Sequence, residues 1–177
     1  MGWLEKFKRF LYRKKLRFDA KAVSNAERKM LNIKDAQKIG ILFNATRVED
    51  IVSITNFAEK LKQSGKQTSI LGFQHTKKKE LTDPQFINNL DVNWFYIPES
   101  EKITEFHKKE FDILIGAFVN ECLPLEYIAA TSKAKFRVGT FSDETAAHFE
   151  LMINTNKNQS LDYLLQQIDH FLNLINP

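Results

Sequence analysis

The stretch KIGILFN, residues Lys38–Asn44, decides how this chain is read. It is a short apolar run that closes on a polar residue, the pattern of a strand buried on both faces. Thr46 and Glu49 follow at the spacing of a capping box, in which the hydroxyl accepts from the Glu49 N–H and the carboxylate reaches back. A helix is therefore expected over residues 47–63, with Val48, Ile51, Val52, Thr55, Ala58 and Leu61 as its inner face. Gly65 supplies a left-handed stop, and QTSILGF (Gln67–Phe73) becomes a second strand. Strand, helix and strand in this order seed a parallel sheet.

Toward the C-terminus the alternation continues. Residues 74–91 carry the Lys77–Lys79 run and Pro84 and read as a surface loop with at most a short helix. VNWFYI (Val92–Ile97) is expected as a third strand, and Ser100 as the cap of a helix ending near Lys109. FDILIGAFV (Phe111–Val119) is the most continuous apolar run and belongs at the sheet centre. A helix over Leu125–Lys133, with Pro124 near its first turn, precedes the short strands KFRVG (Lys135–Gly139) and FELMI (Phe149–Ile153). The last helix is capped by Ser160, and Leu161, Leu164, Leu165, Ile168, Phe171, Leu172 and Ile175 form its stripe. Right-handed crossovers then give an α/β fold: a Rossmann-like three-layer sandwich over residues 38–177, its mostly parallel sheet having about six strands.

Toward the N-terminus lies a different kind of segment, an arm and connector over residues 1–37 that places a basic amphipathic helix ahead of the sheet. Trp3, Leu4, Phe7, Phe10 and Leu11 recur at three- and four-residue spacing, while Lys6, Lys8, Arg9, Arg13, Lys14, Lys15 and Arg17 cover much of the rest. Asp19–Gln37 reads as a helical connector with a weaker stripe of Val23, Ala26, Met30 and Ile33. Residues 1–40 hold 12 Lys and Arg against 4 Asp and Glu, whereas residues 41–177 hold 14 against 18. Three surfaces could cover the aromatic stripe: the flank of its own domain, an anionic membrane interface, or RNA, whose phosphates would meet the cations.

Composition bounds the rest. A chain of 177 residues with 43% hydrophobic and 27% charged residues makes one ordinary globular domain. Its apolar runs are too short to span a bilayer and Met1–Phe18 lacks an uncharged signal-like core, so a cytoplasmic location, or one peripheral to the inner membrane, is expected. The single cysteine, Cys122, excludes an internal disulfide. Ligands of such folds sit beyond the carboxyl ends of the strands, where Asn44, Ala45, Thr46, His75, Asn120, Glu121, Thr140 and Ser142 fall. The turn after the first strand has no glycine, which argues against a dinucleotide fingerprint, and no Walker loop is present. The four histidines are scattered, so neither a metal nor a cofactor is expected. Cys122 reads as a small buried hydrophobe, and Asp143 and Glu144 as a solvated turn.

The segments KIGILFN, FDILIGAF, AKFRVGTFSDE and FELMI, behind a basic leader, resemble those of a family of small uncharacterised proteins from Bacteroidota over nearly the whole chain. More distantly the layout is similar to one Rossmann-like half of two-domain glycosyltransferases such as heptosyltransferases. The first likeness implies a bacterial protein without assigned chemistry, and the second implies a sugar-nucleotide site. The leading expectation is a non-enzymatic adaptor docked by its arm, with RNA or the ribosome ahead of a membrane surface because the charge continues through Lys21, Arg28, Lys29, Lys34 and Lys38. A small enzyme or sensor binding a nucleotide or sugar-nucleotide through Asn44, Thr46, Asn120 and Ser142 is the second. A homodimer, in which another copy supplies the missing half, is the third.

Overall fold

The computed structural model describes residues 2–23, 26–77, 83, 85–142, 147–156 and 158–176. Its six strands are β1 (Lys38–Asn44), β2 (Gln67–Gln74), β3 (Phe86–Asn88), β4 (Ile113–Ala117), β5 (Phe136–Thr140) and β6 (Leu151–Ile153). All pair in parallel, in the order β3-β2-β1-β4-β5-β6, the order of a doubly wound nucleotide-binding sheet. The helices are α1 (Trp3–Ala22), α2 (Val48–Gln63), α3 (Glu101–His107), α4 (Leu123–Ala130) and α5 (Leu161–Leu174).

The two-residue period of the central strands divides the core. Ile39, Ile41 and Phe43 of β1 and Ile113 and Ile115 of β4 face α2 and α5, through Ile54, Ala58, Leu164 and Ile168. Leu42 and Leu114 point the other way, toward Ile103 and Phe106 of α3 and Leu125 and Ile128 of α4. Tyr12 and Leu16 of α1 form a third, smaller cluster with Ile97 and Ala130, so α1 lies outside the α3–α4 layer. Gly116 and Gly139 are neighbours in register, and a methyl group on either would come within 2.7 Å of the Phe149 ring. The Phe149 ring fills the space that the two missing side chains leave, and β6 starts at Leu151, two residues later than expected.

Several other expectations change. Val92–Ile97 is a turn, not a strand: the Asn93 side-chain carbonyl accepts from Phe95 N–H (2.9 Å) and Ile97 N–H (3.1 Å), and Tyr96 takes φ +65°. The third strand is instead Phe86–Asn88, inside the segment read as a loop; three residues are too few to show a period. The capping box does not form. The Asn44 carboxamide takes the Thr46 N–H at 3.1 Å, which moves the cap to Arg47, and the Thr46 hydroxyl accepts from His75 N–H at 3.4 Å. The inner face of α2 is correspondingly turned: Ile54, Phe57, Ala58 and Leu61 are buried, while Val48 is 71% exposed and Val52 and Thr55 also face solvent.

Finally, the connector is helical only to Ala22. Beyond it Leu31, Ile33 and Ala36 enter the main core, Met30 is exposed, and Lys29 and Ile33 donate their N–H groups to Lys135 and Leu172. The Gly65 stop forms as expected, at φ +81°, with Lys66 N–H returning to Leu61 O and Gly65 N–H to Lys62 O. At the amino ends of the strands the Asp112 carboxylate accepts from the Gln37 and Lys38 N–H groups, both at 2.9 Å, and pairs with Lys135. Burial opposes its ionisation, but those three donors outweigh it and bring the pKa to about 2.

Candidate functional site

β1 leads to α2 on one side of the sheet and β4 to α4 on the other, so the chain parts between them and a cleft of about 340 Å³ opens at their carboxyl ends. Asn44, Thr46, His75 and Asn120 line it together. Ser142 does not join them; it lines a neighbouring depression with Asn120, Glu126 and Thr140. The first turns of α2 and α5 also enter the cleft, bringing Arg47, Glu49, Asp50 and Asp162. Of these, the sequence pointed to Glu49 alone, and as a capping residue rather than as part of a cleft.

Their charge decides the chemistry. Three carboxylates face one guanidinium where a doubly wound fold would place phosphate. Burial pushes the Asp50 carboxyl above its usual range, Arg47 opposes this, and Glu49 and Asp162 add to it. The amino end of α2 is thus served by its own Glu49 and Asp50, and an anionic ligand would meet them first.

Other reactive groups are quenched. Cys122 is buried at the start of α4, and burial pushes its thiol up to about 12, far from a nucleophilic thiolate. His107 is held neutral by burial and bonded to Ile128 O; burial and the nearby Arg137 also lower the pKa of His148. Among the described residues no three His, Cys, Asp or Glu side chains are grouped to hold a metal ion. Lys77 is exposed, whereas Lys78, Lys79, Asp143 and Glu144 lie outside the described residues.

α1 offers a different surface. It is attached to the body by one face and displays another. Tyr12 is 2% exposed and donates its hydroxyl to Leu123 O at 2.8 Å; Leu16 packs beside it. Arg9 grips both oxygens of Glu121 at 2.6 and 2.7 Å, Tyr96 donates to Glu5 at 2.7 Å, and Tyr127 donates to Asp19. The Arg9 pair holds the Glu121 carboxyl below its usual range.

The stripe noted in the sequence lies on the far side. Trp3 is 78% exposed; Leu4, Phe7 and Phe10 are exposed as well, and Leu11 is half-buried. Phe18, 73% exposed, extends the ridge by two turns and had been left out of it. Its spacing from Phe7 (eleven residues, three full turns) is the signal that could have found it. Of the arm cations, Lys6, Arg13, Lys14, Lys15 and Arg17 are on exposed positions, Arg9 is engaged with the body, and Lys8 lies over Trp94 at 4.6 Å. Both carboxylates of the helix, Glu5 and Asp19, are bonded to tyrosines of the body, and Asp19 also pairs with Lys15 at 2.8 Å, so the side around Trp3, Phe7, Phe10 and Phe18 carries aromatic rings and cations. No described helix is long and apolar enough to cross a membrane.

No curated protein and no solved structure matches this chain. One family model does, and it spans residues 8–175, taking in the latch of α1, all six strands and α5. By that match the chain belongs to DUF6913, a family of unknown function.

Proposed function

We propose that this protein is a peripheral binding protein that seats on an anionic membrane surface through the outer face of α1. The observation that carries this reading is the sorting of side chains on one helix: its acids turn to the body, while Trp3, Phe7, Phe10 and Phe18 point away among cations. A helix 20 residues long lies about 30 Å along a bilayer, with its rings at headgroup depth and its lysines and arginines near lipid phosphates. Fully burying one such ring is worth roughly 1.5–3 kcal/mol, and each cation near an anionic leaflet about 1 kcal/mol.

RNA would use the same cations but not the same rings. Trp3 and Phe7 already stack on each other (5.8 Å, 9°), and Lys14 and Lys15 lie over Phe10 and Phe18, so base stacking would first have to strip those faces. Of the connector cations, Arg28 is turned to Ser132 O and Ala134 O and lies 3.8 Å from Glu150, while Lys21, Lys29, Lys34 and Lys38 stay on exposed positions and favour neither surface over the other. A nucleotide or sugar-nucleotide in the cleft, as in half of a glycosyltransferase, would face Glu49, Asp50 and Asp162.

Flotation with vesicles of phosphatidylglycerol and phosphatidylcholine in equal parts tests the proposal. The protein should float with them, less so as salt rises, and not with phosphatidylcholine alone. Sedimentation with RNA without flotation, or a concentration-dependent dimer indifferent to lipid, would replace the membrane with those partners.

A further inference from the structure

Resting on that reading, we infer that the turn Asn93–Ile97 belongs to the same docking face and that Trp94 enters the lipid interface beside α1. Tryptophan is on average a strongly buried residue. This chain has two, and neither is in the core: Trp94 is 51% exposed and Trp3 more so. The turn that carries Trp94 is built rather than slack. Asn93 binds two N–H groups with its side-chain carbonyl and Glu99 with its amide (2.7 Å), and Asn93 N–H closes on Ile97 O at 2.9 Å. Tyr96 is held left-handed, a conformation unfavourable for a bulky residue.

The turn so built packs against α1. The Tyr96 hydroxyl bonds Glu5, Lys8 lies over both the Trp94 and Tyr96 rings, and Ile97 packs with Tyr12 and Leu16. The turn therefore sits against the attached side of the opening turns of the helix, through Glu5 and Lys8, and holds the exposed Trp94 at the edge of the same turns that bear Trp3, Leu4 and Phe7. An indole with an apolar body and one N–H donor suits the headgroup layer, and Lys8 beside it supplies the charge that an anionic phospholipid requires. The occupant of this face is the phospholipid surface already proposed, met by two elements instead of one.

Because each tryptophan reports alone once the other is replaced, Trp3→Phe and Trp94→Phe make the test. Each variant is mixed with vesicles of phosphatidylglycerol and phosphatidylcholine in equal parts, with brominated acyl chains as a quencher. Blue-shifted and quenched emission from both variants is the expected result, and Trp94→Ala should weaken vesicle affinity about tenfold. Emission that responds in Trp94→Phe but not in Trp3→Phe leaves helix docking standing and removes Trp94 from it. Silence in both overturns this inference and the membrane reading together.

Discussion

Helices α1 and α5 both carry regular apolar stripes, yet α5 turns its stripe into the molecule and α1 turns its stripe out. Along α5, Leu161, Leu164, Leu165, Ile168 and Leu172 are buried while Phe171 of the expected stripe is exposed, and the helix holds mainly by buried area, with the surface pair of Asp169 and Lys60 beside it. Along α1 the most apolar side is exposed, and the helix holds by Tyr12, Leu16 and a set of polar hooks: Arg9 to Glu121, Tyr96 to Glu5, Tyr127 to Asp19. Periodicity tells that a helix has a face; it does not tell which surface will cover it. On α1 the residues that settle the matter are the few that bond to the body, and they leave the aromatic side free for another surface.

That contrast predicts a graded series of effects. Leu164→Ala in α5 should cost about 2–5 kcal/mol in urea unfolding, because a fully buried side chain leaves a cavity in the main core. Tyr12→Phe should cost about 1–2 kcal/mol, since the hydroxyl bonded to Leu123 O is lost, and should lower hydrogen-exchange protection in α1 more than in α5. Acid should act on the same latch. Glu121 is depressed by Arg9, so its contribution is present above the ordinary carboxyl value of about 4.3 and is lost as pH falls through the lower folded value. Below about pH 4, protection corrected for intrinsic exchange should therefore fall in α1 while α5 keeps its own. Smallest of all, Trp3→Ala should change stability by no more than about 0.5 kcal/mol, yet it should weaken vesicle flotation clearly. A large stability loss from Trp3→Ala, or none from Leu164→Ala, would break the contrast.

The sheet was legible where elements were long or continuous. Lys38–Asn44 forms β1 with the bounds expected, and the runs around Gln67 and Phe111 became β2 and central β4. It was misread where side chains, not periodicity, set the backbone: Asn93 bends an aromatic run that otherwise looks like a strand, and Asn44 delays α2 by a residue. Phe86–Asn88 is held as an edge strand by register with Gly72–Gln74, information that no local window contains. At the cleft, Asn44, Thr46 and Asn120 lie together because strand ends converge in any doubly wound sheet. Ser142 went elsewhere, and the decisive carboxylates were not read as part of the cleft because they belong to helix starts. On α1 the composition of the outer face was visible from the start, but its direction depended on Tyr12 and Leu16, which sit among cations and so were hidden in the pattern.

The way residues 26–37 are tied down sets how far α1 can travel. Lys29 is bonded to Lys135, Arg28 to Ser132 O and Ala134 O, and Leu31, Ile33 and Ala36 are locked in the core, so fixed ground begins within six residues of the end of the helix. Six residues fully extended reach about 20 Å. Even unhooked from Glu121 and Leu123, the helix is on a short leash: it could swing or roll at its seat but not fish for a distant surface. Whatever α1 grips, the sheet and its acidic cleft are carried along within a few nanometres of it.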